Sequence, residues 1–273
     1  MTRLLAACLA VVLLAQTAVA KDRPWREWPT GDRFAMAAGG FWPNLDTKVR
    51  IDGSQGQIGT TLDFESNLGM EDAKALPILA ARWRISQRNA LEFLYFDLNR
   101  SGQAINDATI RVGDVIFPAN LPLSSFFDSE IYSVAWSYSF IHRQNTDIAF
   151  QIGLNIQDIA VGIQGPLGKL AEEADFTAPL PTFGLTAQHF LNDKWSLDGR
   201  MGVFAIEIEL SSGDFSGEVV QLGAGLGYDA WNNVGFRVGV DYFHVKLDIE
   251  DEDWSGALRY DWWGPTAQLT LSF

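Results

Sequence analysis

The chain ends on the stretch WSGALRYDWWGPTAQLTLSF, residues 254–273, and this stretch decides the fold. If the segment is extended, successive side chains point to opposite faces of the strand. One face is then apolar up to the last residue, and the other is mostly small or polar. The apolar face carries Trp263, Pro265, Ala267, Leu269, Leu271 and Phe273, and the other carries Trp262, Gly264, Thr266, Gln268, Thr270 and Ser272. The pattern predicts a final β-strand with one side in an apolar medium.

An apolar face that continues to a terminal Phe273 is expected of a closed membrane barrel, because the last strand pairs with the first and faces lipid along its length. In this feature the sequence resembles Gram-negative outer-membrane β-barrel proteins, whose last strand characteristically ends in Phe behind alternating apolar residues. The resemblance implies an all-β, transmembrane, antiparallel up-and-down barrel in the cell outer membrane. It also implies that insertion machinery binds the C-terminal strand. It implies no particular activity.

The other end of the chain predicts export. A basic start with Arg3 precedes an apolar run at residues 4–14, and Ala18-Val19-Ala20 forms a small-x-small cleavage site. An anchor helix is the alternative, but the apolar run is short for a membrane span. We therefore expect a cleaved signal peptide at 1–20, a periplasmic lead-in at 21–32 and a barrel at 33–273, with the mature chain starting at Lys21.

Composition narrows the classes further. The formal net charge of −14 argues against a nucleic-acid partner. The single cysteine, Cys8, lies in the predicted signal peptide, so the mature chain has no disulfide and no cysteine metal site. A mean hydropathy of +0.01 fits a membrane barrel, in which lipid-facing and lumen-facing residues alternate and average out. An acidic soluble β-sandwich is the alternative fold.

Alternation is clearest at residues 130–141 and 148–157, where single small or polar residues separate the large side chains from Tyr132 to Phe140 and from Ile148 to Ile156. Short polar turns at 86–89, 142–146, 192–194 and 231–233 are assigned to the periplasm, because periplasmic turns are the short ones. Counting back from the last strand gives about ten membrane strands, with extramembrane hairpins near 58–64 and 110–117. Twelve strands is the alternative, if those two segments cross. Long excursions are expected at 43–75, 162–178 and 248–253, and a β-bulge near Tyr242 and Phe243.

Charged residues on the inward positions form a predicted lumen network. Its members come from several strands and are Arg82, Arg84, Glu92, Asp198, Arg200, Arg237 and Asp241. They either form a salt-bridged plug, since a barrel of eight to ten strands is largely filled by side chains, or line a selective path. Arg84 and Glu92 flank one tight turn on the same face, so we expect them to pair.

Catalytic residues are not predicted. Barrel lipases and lipid A deacylases place a Ser two residues from a His on one strand face, so that the pair can hydrogen-bond. None of His142, His189 and His244 has a Ser at that spacing. His244, with Asp241 or Asp248, resembles a barrel protease site, and an envelope hydrolase of lipid or peptide therefore remains an alternative.

An acidic loop is the candidate metal site. Carboxylate oxygens bind Ca²⁺ or Mg²⁺, but the loop lacks the spacing of an EF-hand, so the expected affinity is weak. Its ligands would be Asp248, Glu250, Asp251, Glu252 and Asp253, with Glu172, Glu173 and Asp175 in a second loop. Such an ion would bridge the loops to lipopolysaccharide phosphates. No other cofactor is predicted.

The sequence therefore predicts a monomeric barrel with a structural or narrow, porin-like channel role. Two alternatives stay open. The first is surface binding of divalent cations, lipopolysaccharide or host ligands. The second is the envelope hydrolase.

Overall fold

The computed structural model describes residues 33–53, 56–166, 171–210, 213–231, 233–251 and 255–273. The predicted signal peptide and lead-in lie outside these ranges. The elements in chain order are β1 (Phe34–Phe41), β2 (Asn44–Asp52), β3 (Leu62–Asp63), α1 (Phe64–Leu68), β4 (Leu76–Arg84), β5 (Asn89–Ile105), β6 (Ile110–Val112), β7 (Val115–Phe117), β8 (Pro122–His142), β9 (Thr146–Gln164), β10 (Ala171–Phe190), β11 (Trp195–Leu210), β12 (Gly213–Asp229), β13 (Val234–Asp251) and β14 (Ser255–Ser272).

Ten antiparallel strands form a closed barrel in the order β1, β4, β5, β8, β9, β10, β11, β12, β13, β14. The ring closes where β14 pairs with β1, from Ala35 opposite Ser272 to Phe41 opposite Thr266. The ten-strand prediction is confirmed and the twelve-strand alternative is wrong. No helix among the described residues is long and apolar enough to cross a membrane.

The first barrel strand is longer than predicted. The outer part of β14 pairs with β2, so β2 continues the line of β1 past Trp42 and Pro43. Pro43 has no N–H group to give to a ladder, which accounts for the interruption there. The predicted excursion at 43–75 is therefore wrong over residues 44–52, which belong to the barrel wall.

An apolar belt surrounds the barrel. Outward side chains over residues 132–140 of β8 are large, apolar and exposed, and this run has the length that a tilted membrane strand needs. Other strands continue the belt, with Phe150, Ile152, Leu154 and Ile156 on β9 and Phe236, Val238 and Val240 on β13. Exposed apolar side chains in a continuous ring require lipid around them.

The apolar face changes sides where the strands leave the membrane. On β9 the outward position after Ile156 is Asp158, while inward Ile159 and Val161 are buried. On β13 the same exchange occurs between Val240 and Phe243. The predicted bulge near Tyr242 is wrong, because β13 pairs with β14 in one register throughout. The register shift that does occur lies in β8, between Ser139 and Ile141.

The outer half of the barrel stands above the membrane as a β-barrel with an apolar interior. Most of the predicted loop at 162–178 is strand, because β9 runs to Gln164 and β10 starts at Ala171, and the two pair there. The predicted acidic loop at 248–253 is also strand as far as Asp251, which pairs with Gly213. The predicted hairpin at 110–117 is confirmed as β6 and β7.

A short helix closes the wall between β2 and β5, where β4 does not reach. The segment expected as a hairpin at 58–64 is instead β3 followed by α1. Asp63 caps α1 by accepting from the backbone N–H of Ser66, and Gly69 ends it with a φ of 65°. Phe64 and Leu68 of α1 are buried in the core.

An ion pair holds this helix to both neighbouring strands. Arg100 on β5 pairs with Glu65 and donates through Nη2 to Thr47 Oγ1 at 2.6 Å. Glu65 Oε2 accepts from the backbone N–H of Thr47 on β2 at 2.9 Å. We call Arg100, Glu65 and Thr47 the wall clasp, because they link β5 to β2 where no strand ladder does.

Candidate functional site

Four aromatic side chains fill the lumen just above the membrane. They are Phe96 on β5, Phe243 on β13, and Tyr260 and Trp262 on β14. Tyr260 and Trp262 stack with ring centroids 4.4 Å apart, and Phe96 meets Trp262 edge-on at 6.0 Å. Phe243 contacts the other three at 5.9–6.1 Å. We call this group the aromatic layer.

A hydrogen bond crosses the lumen at this layer. The Tyr260 hydroxyl on β14 donates to Gln157 Oε1 on β9 at 2.7 Å. In the ring of ten strands, β9 and β14 lie five positions apart, so they are opposite walls. Both residues are completely buried. The lumen is therefore spanned by side-chain contact from wall to wall.

The periplasmic half of the lumen is polar and holds all seven residues of the predicted charge network. One cluster joins β11 and β13. Arg237 donates to Asp198 at 2.6–2.9 Å, and Arg200 donates to Asp241 at 2.8 Å. Asp241 also accepts from the Thr266 hydroxyl on β14 at 3.0 Å. These contacts link three strands beneath the aromatic layer.

The second cluster has a different partner from the one predicted. Arg84, expected to pair with Glu92, forms its 2.9 Å ion pair with Asp147 on β9. Glu92 faces Arg82 in the strand register, with 3.6 Å between their charged atoms. The Asp147 carboxylate also lies 3.7 Å from Arg82 Nη2 and 3.4 Å from His142 Nδ1. The sequence did not single out Asp147, because its arginine partners lie on β4, which is not a neighbour of β9.

Two cavities remain in this polar half. One has a volume of about 210 Å³ and includes Glu92, Gln151 and Arg200 in its lining. The other, about 180 Å³, reaches the periplasmic end beside Gln188 and Asp229. Both are bounded by Ala35, Arg82 and Thr270. We call them together the vestibule, a polar recess that lies beneath the aromatic layer.

His244 lies apart from the other two histidines, which contact the adjacent residues Asp147 and Thr146. His244 points outward and its Nδ1 lies 2.8 Å from Asp261 Oδ1, whereas Asp241 is on the lumen side and Asp248 pairs with Lys246 at 2.8 Å. The suggested pairing of His244 with Asp241 or Asp248 is therefore wrong. His142 contacts Asp147 in the lumen, and His189 contacts the Thr146 hydroxyl at 2.8 Å.

The outer surface carries an acidic face above the belt. Asp97, Glu130 and Asp158 stand directly opposite one another on β5, β8 and β9. Burial, followed by the carboxylate of Glu130, raises the pKa of Asp97. Burial and the nearby Asp97 likewise raise the pKa of Asp128. Full ionisation of the carboxyl groups on this face is therefore unfavourable.

Most side chains of the predicted cation site lie outside what the structure describes. Residues 252–253 are not described, nor are the side chains of Glu250, Asp251 and Glu172. Asp248 is bound to Lys246, and Glu173 and Asp175 are exposed on β10. Within the described ranges, no three His, Cys, Asp or Glu side chains form a group that could hold a metal ion. The site remains a prediction.

Comparison with known proteins gives similarity of fold. The outer-membrane protease OmpT from Escherichia coli aligns with a TM-score of 0.57 and 13% identity, over 88% of this chain and 97% of OmpT. Ail, the attachment invasion locus protein of Yersinia pestis, aligns with a TM-score of 0.38 and 11% identity, over 88% and 99%. Neisserial surface protein A gives 0.33 and 12%, over 88% and 97%. No family model and no curated protein matches the sequence.

Proposed function

We propose that this chain, a Gram-negative outer-membrane β-barrel protein, is a structural barrel whose lumen is closed to solutes. The closed ten-strand ring, its apolar belt and the similarity of fold confirm the predicted fold and support the predicted outer-membrane location. The observation that carries the proposal is the aromatic layer, with the hydrogen bond between Tyr260 and Gln157 across it.

Closure follows from the chemistry of the layer. An ion that leaves the polar vestibule would have to lose its water against Phe96, Phe243 and Trp262, and the transfer of a charge into such surroundings is strongly unfavourable. Hydrophobic constrictions also exclude water itself. Apolar side chains continue above the layer, where Val245, Leu247 and others are buried. The lumen is thus a polar recess on the periplasmic side and an apolar core on the outer side.

Planar-bilayer recording of the refolded mature protein tests closure. Wild type should give no ion conductance, while an open porin under the same conditions provides the positive control. A variant with Phe243→Ala and Trp262→Ala, checked for a heat-modifiable barrel on gels, removes two of the four aromatic rings and should raise conductance. Steady conductance of the wild type, unchanged in this variant, would support the narrow-channel alternative and reject closure at the aromatic layer.

The proposal includes no covalent catalysis. His244 and Asp261 are within hydrogen-bonding distance. The outward neighbours of His244 in register and along the strand are Tyr242, Lys246, Asp261 and Val220, and none of these supplies a Ser, Thr or Cys nucleophile. Wild type should show no acyl- or peptide-cleaving activity that depends on His244, so substitution of His244 should change no such activity. We also propose that the protein is a monomer and that the C-terminal strand binds the insertion machinery during assembly.

A further inference from the structure

The barrel wall splits between β10 and β11 on the outer side of the membrane. Within the membrane the two strands are paired, and their ladder ends at Phe183 opposite Val203. Beyond that point, among the described residues, β10 pairs only with β9 over 171–182, and β11 pairs only with β12 over 204–210. Each of the two strands therefore has a free backbone edge toward the other in the outer half of the barrel.

Two prolines account for the place where the split begins. The backbone N–H of Leu191, just below β10, donates to the carbonyl of Trp195 on β11 at 2.9 Å. Backbone groups along a strand point alternately to its two neighbours, so the odd-numbered residues of β10 direct theirs toward β11. The next odd-numbered residues above Phe183 are Pro181 and Pro179. Neither has an N–H group, so the ladder loses two donors in succession.

Both prolines lie at the height of the apolar belt. Pro179 stands opposite Ile156, the last exposed apolar residue on the outward face of β9. An unpaired N–H group in lipid is costly, and a proline has none to leave unpaired. The next edge position, Thr177, stands opposite the exposed Asp158, above the belt. The free N–H donors of β10 therefore begin just outside the lipid, where water reaches them.

The free edge of β10 is a template for another strand. The backbone groups of Thr177, Asp175 and Glu173 point into the split and have no ladder partner in the described part of the chain. Such a row of donors and acceptors pairs readily with an extended segment of another chain. On the inner side of β10, Ala178 and Leu180 are buried. The inward side chains of an added strand would therefore meet an apolar interior.

The wall on both sides of the split is acidic. Residues 154–164, 171–182, 204–210 and 213–219 form this part of β9 to β12 and include no Lys or Arg. Their carboxylates are Asp158, Glu172, Glu173, Asp175, Glu207, Glu209, Asp214 and Glu218. The first cation across β13 is Lys246, which stands opposite Glu218 and pairs with Asp248 at 2.8 Å. The net charge beside the split therefore favours a cationic occupant.

The exposed carboxylates also disfavour other occupants. Glu173 and Asp175 are exposed on the outward face of β10, and no Lys or Arg of the described ranges pairs with them. A second copy of this barrel that joined edge to edge would bring these like charges together, which destabilises a strand pair. Lipid phosphates would be repelled by the same carboxylates. A strand with cations on its outward face has neither disadvantage.

We propose that the free edge of β10 takes up an extended cationic peptide as an added antiparallel strand. Lys or Arg at alternate positions of the peptide would face Glu173 and Asp175 on the outer surface. Apolar side chains at the positions between them would point inward beside Ala178. Backbone hydrogen bonds would give affinity, and the alternation of charge would give specificity. The site is independent of whether the lumen conducts.

Binding of a labelled peptide by the refolded mature barrel tests the charge requirement. The probe is a capped peptide of Lys-Val repeats, followed by fluorescence anisotropy in nonionic detergent. The variant Glu173→Gln with Asp175→Asn should bind it about tenfold more weakly than wild type, because two cross-strand charge pairs are lost. Asp97→Asn with Glu130→Gln removes the same two charges from paired strands and should bind like wild type. Equal weakening in both variants would overturn the proposal.

N-methylated forms of the probe test the backbone requirement. In an antiparallel added strand, each Lys opposite an edge-facing residue exchanges backbone hydrogen bonds with it. Methylation of the Lys backbone nitrogens should therefore abolish binding, whereas methylation of the Val nitrogens should preserve it. Equal binding of all three peptides would overturn the proposal, because the attraction would then be general. A doubled barrel mass in light scattering that the probe does not reverse would also overturn it, because a second copy would occupy the edge.

Discussion

The wall clasp offers the sharpest test of how this barrel holds together. Glu65→Gln keeps the shape of the side chain, and the amide oxygen can still accept from the backbone N–H of Thr47. What it removes is the carboxylate that faces Arg100. The Arg100 side chain is 1% exposed and that of Glu65 is 15% exposed. The guanidinium would keep Thr47 Oγ1 at 2.6 Å and the carbonyl of Glu71 at 3.4 Å, both of which are neutral acceptors.

The magnitude follows from this burial. Removing one partner of a buried ion pair costs about 3–5 kcal/mol, because the remaining charge cannot recover its water. Since Glu65 is partly exposed, we expect Glu65→Gln to lie at the lower end, about 3 kcal/mol. This is a large share of the total stability of a domain, which is about 5–15 kcal/mol. The exposed turn variant Asp193→Asn should change stability by less than about 0.5 kcal/mol.

Urea titration of the refolded barrel, followed by tryptophan fluorescence, measures the difference. Glu65→Gln should lower the midpoint at an unchanged slope, since the surface exposed on unfolding is the same. Adding Arg100→Met to Glu65→Gln should recover part of the loss, because a buried pair replaced by apolar groups is often neutral. If Glu65→Gln unfolds within about 1 kcal/mol of Asp193→Asn, the clasp does not hold the wall and the reasoning fails.

Three further predictions concern the lumen and the acidic face. Tyr260→Phe should lower the free energy of unfolding by about 1–3 kcal/mol, because it leaves the buried acceptor of Gln157 without its donor. It should give no ion conductance in the bilayer, because the ring remains. Conductance in this variant would show that the hydrogen bond itself is the barrier. Asp97→Asn should raise the unfolding midpoint at neutral pH. Because the pKa of Asp97 is raised in the folded state, its ionisation makes the folded protein less stable as the pH rises through that pKa. The stability gained by Asp97→Asn should therefore disappear below about pH 3.9, the ordinary Asp pKa. An equal gain at neutral pH and below about pH 3.9 would contradict this. Glu92→Gln should lower stability by at least about 1 kcal/mol relative to an exposed substitution, because Arg82 then loses its facing carboxylate; equal melting of the two variants would place Glu92 outside the lumen network.

The sequence alone determined the facing of most barrel side chains. Alternation has a period of two, and a strand keeps that period whatever surrounds it, so the inward positions of Arg82, Arg84, Glu92 and Asp241 follow from local pattern. Turn length then gave strand number and direction, because short turns share one side of the membrane. These are properties of residues that are close together in the chain, so they can be read from the sequence.

Only the tertiary structure decided where the surroundings change along a strand. At Tyr242 and Phe243 the pattern suggested a bulge, but the register is continuous and the apolar face simply moves from lipid to lumen above the membrane. The length of the outer half could not be read from the sequence for the same reason: residues 162–178 have polar outward positions, as a loop would, and yet 171–178 are strand.

Contacts across the lumen were also beyond the sequence. Arg84 meets Asp147, and Tyr260 meets Gln157, 103 positions away in the chain. Neither pair lies on adjacent strands, so neither appears in any hairpin register. Such partners are set by the closure of the ring and by the stagger of its strands, which bring distant positions to the same height. The sequence therefore determined which side chains enter the lumen, and the closed barrel determined which of them meet.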